Sequence, residues 1–124
     1  MSSAIIDMTE LLARVEDDRQ LMRDLLLIFK EEFPRHLRAL RDAVNSMDAE
    51  KVESTAHAFR GMLSNLAANP AAAAAARLEQ LGRNREVSKF QEAFASFEEI
   101  GKELLLQLDV CMAEVAGIEN LNRR

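Results

Sequence analysis

The residue types best placed for chemistry in this sequence are His57, Arg60 and Gly61. On a helical wheel at about 100° per residue, the segment from Asp48 to Ala68 has an apolar stripe centred near Phe59 and Leu63. His57 falls roughly 140° from that centre, so its ring faces away from the core. Ser54, Gly61, Ser64 and Ala68 share its face, and Arg60 lies at the border, one turn on. A lone exposed histidine is ordinarily just a solvated side chain. Here it is ringed by small residues, with a cation in reach. A glycine inside a helix costs about 1 kcal/mol relative to alanine, and on an outer face core packing does not account for it. Gly61 strips the surface bare one turn beyond His57, as required if another protein's backbone must approach the ring. A neutral imidazole nitrogen is a nucleophile able to attack a phosphoryl group. Arg60 can pair with the phosphoryl charge. No GxxxxGK[ST] loop or glycine-rich turn exists to cradle a nucleotide, so the phosphoryl donor must be another protein.

The elements that must position these residues are helical. Four glycines, two prolines and abundant Ala, Leu, Glu, Arg and Met favour helix, and no alternating apolar pattern bounded by turn residues marks a strand. Asp7, with Glu10 three residues later, predicts a capped short helix over about residues 7–14. Asp17 or Asp18 opens the next, whose stripe is Leu26, Phe29, Phe33, Leu37, Leu40, Val44 and Met47. The stripe keeps phase across Pro34, which predicts one kinked helix rather than two. Asp48 caps the helix of His57, with Val52, Ala56, Phe59, Leu63 and Leu66 facing inward. Asn69 as cap and Pro70 at the first helical position restart the chain. The alanine run Ala71 to Ala76 reads as a helix a neighbour can approach closely, ending near Gly82 as a C-terminal stop. A last long helix starts near Glu86, with a seam of Phe90, Phe94, Phe97, Gly101, Leu104, Leu108, Cys111 and Val115. The expected fold is all-α: an antiparallel up-and-down four-helix bundle over about residues 18–118, with the short N-terminal helix covering one end. Residues 1–124 read as one domain.

Composition bounds the partners. With 16 basic against 21 acidic residues the net charge is −5, which argues against nucleic acid and anionic membrane surfaces. No apolar run is long enough to span a bilayer. The start, MSSAIIDMTE, lacks the basic and apolar regions of a secretory signal, so the expected location is the cytoplasm. One cysteine excludes an intrachain disulfide and any multi-cysteine metal site, and Cys111 reads as a small buried hydrophobe. His36, near Pro34, reads as a surface or rim residue without function. The paired acids Asp17-Asp18, Glu31-Glu32 and Glu98-Glu99 read as caps and solvated faces.

The run AHAFRGMLSNLAA, from Ala56 to Ala68, resembles the motif of histidine-containing phosphotransfer (HPt) domains of bacterial phosphorelays. That motif reads roughly Ala-His-x-Leu-Lys-Gly, then small residues and Asn-Leu-Gly. His57 falls on the phosphorylated histidine, Arg60 on the basic position and Gly61 on the glycine, and Asn65 and Leu66 also match. The segment from Phe29 to Leu40 with its internal proline, and ARLEQLGR at 76–83, are similar to the family's helices on either side. The departures are Phe59 for Leu, Arg60 for Lys and Ala67 for Gly. The resemblance implies a phosphorelay intermediate: His57 takes a phosphoryl group from an aspartyl phosphate on one receiver domain and hands it to another, with Arg60 stabilising charge. Ser54, Gly61, Ser64, Asn65 and Ala68 would form the contact surface for the partner. The expected partners are receiver domains of response regulators and, beyond them, a hybrid sensor histidine kinase. Mg²⁺ would be supplied by the receiver, and this chain, a monomer, would hold no cofactor or metal of its own. It would be a carrier without ATP-binding or autokinase activity. Two alternatives stay open: the phosphoacceptor domain of a chemotaxis-type histidine kinase, and a non-catalytic helical adaptor that is a degenerate HPt domain.

Overall fold

The computed structural model describes residues 6–122, with side chains through 114. Its elements are α1 (Met8–Arg14), α2 (Arg19–Asn45), α3 (Ala49–Asn65), α4 (Asn69–Arg83), a single 3-10 turn (Val87–Lys89) and α5 (Phe90–Asn122). There is no strand among the described residues. The seam's last member, Val115, lies outside the residues whose side chains are described.

Three aspartates start three helices. Asp7, Asp18 and Asp48 sit in extended backbone, and their carboxylates accept from the N–H groups of Glu10, Leu21 and Lys51. Each such cap is worth about 1 kcal/mol over alanine. The fourth start differs from the expectation: Ala68 is the cap of α4, without a side-chain bond, and Asn69 and Pro70 already lie inside the helix. The Asn69 amide instead donates to Glu10 of α1.

The helix ends are made without glycine. After α3, Ala67 N–H donates to Ser64 O and Ala68 N–H to Leu63 O, which satisfies the last-turn carbonyls by a Schellman pattern. Met47 and Asp48 do the same after α2, and Arg85 and Glu86 after α4. The residues in the left-handed region are Glu16 and Asp17 after α1, Met47 after α2, Ala67 after α3 and Arg85 after α4, with φ between 53° and 61°. Two residues depart from the sequence expectation. Met47 is no part of the α2 stripe: it lies beyond the helix end, 64% exposed. Gly82 does not stop α4: it lies within the helix, and no glycine there has positive φ.

Gly82 serves packing instead. A Cβ on it would stand 2.7 Å from Glu53 N and 2.9 Å from Ala49 O, so the end of α4 lies directly on the first turns of α3. The alanines Ala71, Ala72 and Ala75 are buried along the same helix. Pro34 sits within α2, which runs unbroken across it. Phe33 and Phe97 both pack against Phe59, with ring centroids 5.3 and 4.9 Å away, and all three rings are buried. Gly101 makes room for this cluster, since a Cβ there would lie 2.8 Å from the Phe33 ring. Phe59 thus fixes the rotation of α3, and His57, two residues earlier, is turned outward. Across α2 and α5, Lys30 pairs with Asp109 and Arg41 with Glu98. α1 lies over the end of α3: Asp7 N–H donates to Ala67 O, and the Arg14 guanidinium donates to Ser64 O.

Candidate functional site

His57 lies at the middle of α3, its side chain 65% exposed. Its Nδ1 is 2.8 Å from Oε2 of Glu79, on the facing turn of α4. The Glu79 side chain is only 7% exposed. A carboxylate accepts and does not donate, so Nδ1 carries the proton. In the neutral ring that leaves Nε2 as the nitrogen with the free lone pair. The tautomer is set by a contact on α4, and the close seat of Gly82 on α3 brings that turn within reach.

Glu79 is a buried charge and needs partners. Arg83, one turn on, donates from Nη2 to Oε2 at 3.2 Å and from Nε to Glu53 Oε2 at 3.0 Å. Arg60 places Nε 2.8 Å from Glu79 Oε1 and Nη2 3.3 Å from His57 Nδ1. The first is an ion-pair contact without the alignment of a hydrogen bond: Arg60 Nε is buried and makes none among the described residues. The second competes with Glu79 for one nitrogen, and the proton on Nδ1 excludes it as an acceptor. Arg60 is therefore held beside the ring mainly by charge.

The other residues singled out by the sequence fall as follows. Gly61 is exposed, and no described atom lies within 4 Å of where its Cβ would stand. Ser54 is exposed, and its hydroxyl donates to Lys51 O. Ser64 is half-buried, and Asn65 is exposed. Ala68 is a correction: it is fully buried and cannot touch a partner. The wheel that placed it beside His57 does not apply, because α3 ends at Asn65 and the chain turns at Ala67. Two grooves flank this face. One of about 410 Å³ is lined by Glu50, Glu53, Ser54, His57, Glu79 and Arg83. The other, about 170 Å³ and apolar, is lined by Leu25, Ile28, Phe29, Met62, Asn65 and Leu66.

His36 is half-buried, its ring 5.8 Å from that of Phe59. Cys111 is buried, and desolvation, then the Glu114 carboxylate, pushes its thiol pKa up. A thiol kept protonated is a poor nucleophile. Sequence reasoning missed Glu79 and Arg83. A signal for Glu79 was present: in the row Ala72, Ala75, Glu79, Gly82 it is the one charge among small residues at helical spacing.

An all-helical protein carrying one outward imidazole, held through Nδ1 by a buried carboxylate, is suited to carry a group on Nε2. The family model for the Hpt domain matches residues 24–117. The chain belongs to the family of histidine-containing phosphotransfer domains, which serve histidine phosphotransfer in phosphorelays. The crystal structure of histidine-containing phosphotransfer protein B (HptB) from Pseudomonas aeruginosa PAO1 matches with a TM-score of 0.84 and 24% identity. The match covers 91% of this chain and 98% of that one, and the likeness is one of fold. No curated protein sequence matches the chain. No described helix is long and apolar enough to cross a membrane.

Proposed function

We propose that this chain is a phosphorelay intermediate that accepts a phosphoryl group on Nε2 of His57 from a receiver-domain aspartyl phosphate and passes it to an aspartate of another receiver. The observation that carries this reading is the 2.8 Å contact of His57 Nδ1 with buried Glu79, which favours the tautomer with Nε2 free. In the accepting step the Nε2 lone pair forms the N–P bond while the acyl phosphate P–O bond breaks. The electron pair of that bond leaves on the receiver's carboxylate. The ring keeps its Nδ1 proton and becomes a phosphoimidazolium, whose positive charge faces the Glu79 carboxylate. In the donating step a carboxylate oxygen of the next receiver's aspartate forms the new O–P bond while the N–P bond breaks and its electron pair returns to Nε2. Arg60 supplies a cation to the phosphoryl oxygens. Mg²⁺ belongs to the receiver's acidic pocket.

The receiver docks across the bare surface at Gly61, with Ser54, Ser64 and Asn65 as contacts. We read the four long helices as an antiparallel up-and-down bundle with α1 as a cover. Supporting this are the pairings of Lys30 with Asp109 and Arg41 with Glu98, and of Phe33 with Phe59, together with the seat of Gly82 on Ala49. The chain would act as one domain and a monomer in the cytoplasm, with a hybrid sensor kinase among its partners.

The test is transfer from each receiver domain of the source organism, loaded with labelled phosphoryl in the presence of Mg²⁺. Acid-labile, base-stable label should appear on the wild type and be absent from His57→Gln. His57→Gln should melt within about 0.5 kcal/mol of the wild type, as exposed side chains usually do. Label that persists in this variant moves the site off His57. Label gained from a kinase core but from no receiver makes the chain a kinase phosphoacceptor domain.

A further inference from the structure

Glu79 has more cationic company than one carboxylate needs at rest. Its Oε2 takes hydrogen bonds from His57 Nδ1 and Arg83 Nη2, while Oε1 has the Arg60 Nε contact without an aligned bond. The three contacts are thus unequal, and the weakest in geometry belongs to the cation nearest the imidazole. Arg83 is fixed elsewhere as well. Its Nε donates to Glu53 of α3, so its guanidinium bridges two carboxylates across the α3–α4 groove.

This arrangement lets one arginine leave. Arg60 Nη2 already lies 3.3 Å from the ring, so rotation of its side chain can bring it to a phosphoryl group on the other ring nitrogen. That movement empties Oε1. With 7% of its side chain exposed, Glu79 cannot turn to water in exchange. Arg83 keeps its hydrogen bond, and the ring gains a positive charge on phosphorylation. At rest Glu53 and Glu79 are balanced by Arg60 and Arg83. When Arg60 departs, the charge on the ring takes its place and the balance holds.

Resting on the reading of His57 as the phosphoryl acceptor, we propose that Arg83 is a positioning residue for the transfer. It holds Glu79 in place when Arg60 turns from that carboxylate to the phosphoryl group. Without Arg83, Arg60 is the only guanidinium on a buried carboxylate and stays there.

The experiment measures rapid-quench transfer from the receiver that labels the wild-type chain fastest, over a range of receiver concentrations. Arg83→Gln should lower the maximal rate about tenfold, the loss of one charge-assisted hydrogen bond. The receiver concentration at half-maximal rate should stay within about twofold, because docking through Gly61 is untouched. Arg83→Lys should recover most of the rate. In a Glu79→Gln background, where no charge needs compensation, Arg83→Gln should have no further effect. Glu53→Gln loosens Arg83 but leaves its bond to Glu79, and should lower the rate clearly less than Arg83→Gln does. If Arg83→Gln melts below the assay temperature, Arg83→Met keeps the stem and carries the same expectation. A normal maximal rate in Arg83→Gln overturns the inference. So does a tenfold loss that persists in the Glu79→Gln background, or an equal loss in Glu53→Gln, which would make Arg83 a strut between helices. A wild-type chain that takes no label from any receiver is a different result, and overturns the reading of His57 with it.

Discussion

If the proposed docking surface is right, folding and transfer should move in opposite directions at Gly61. It lies within α3, exposed, with no described atom within 4 Å of a would-be Cβ. Gly61→Ala therefore meets no steric penalty and gains helix propensity, up to about 1 kcal/mol. For a chain of 124 residues that corresponds to a rise in melting temperature of roughly 3–5 °C. Gln is nearly as good a helix former as Ala, so Gly61→Gln should also raise the melting temperature, by somewhat less. Its side chain would stand one turn from His57 on the same face. A receiver whose backbone must approach there meets a side chain where there was none. Transfer from a phosphorylated receiver should fall, and the receiver concentration at half-maximal rate should rise. Thermal melts followed by circular dichroism, beside transfer rates at several receiver concentrations, read both effects. A destabilised Gly61→Gln would mean that the glycine is packed against another helix. A stabilised variant that transfers normally would place the docking surface elsewhere and remove much of the support for His57 as the carrier.

The remaining predictions concern the fold beneath the site. Gly82→Ala should do the reverse of Gly61→Ala and destabilise by about 1–3 kcal/mol, because its Cβ would stand 2.7 Å from a backbone nitrogen that cannot step aside alone; a melting temperature at or above the wild type would refute the close seat of α4 on α3. Cys111 should react with a thiol reagent near neutral pH only as fast as the chain opens, since the thiol is buried and its pKa is raised. A raised folded pKa contributes stability that is complete below the ordinary thiol value of 9.0 and is lost as pH rises above it. Melting temperature should therefore fall faster above about pH 9 in the wild type than in Cys111→Ala, and parallel curves would count against the burial of this thiol.

The helices were legible wherever the signal was local. An aspartate followed by an apolar period marks a start, because one carboxylate three residues from an open N–H does the whole task; Asp7, Asp18 and Asp48 all do it. The ends were less legible. A helix can stop on any residue that tolerates the left-handed region, and here Met47, Ala67 and Arg85 hold it while the last-turn carbonyls find N–H partners beyond. Nothing in those residue types marks a stop. Gly82 carried the false signal, since glycine serves a C-terminal turn and a close helix crossing equally well, and only the position of α3 separates the two uses.

The same limit divides the site. His57, Arg60 and Gly61 lie on one helix at spacings of three and four, so the wheel brings them together before any tertiary structure is considered. Glu79 lies 22 residues from His57 in sequence, and only the crossing of α3 and α4 makes them neighbours. A charge on a stripe of small residues is the trace such a contact leaves in a sequence. A buried carboxylate is costly unless another element brings it a partner, so an acid among alanines on an inward face points to a donor across the groove. In this chain that donor is the imidazole. The small residues that let the helices close also shorten the reach between Glu79 and His57. The alanine run and Gly82, which look like features of packing alone, thereby help determine which nitrogen of His57 faces Glu79 and which is left outward.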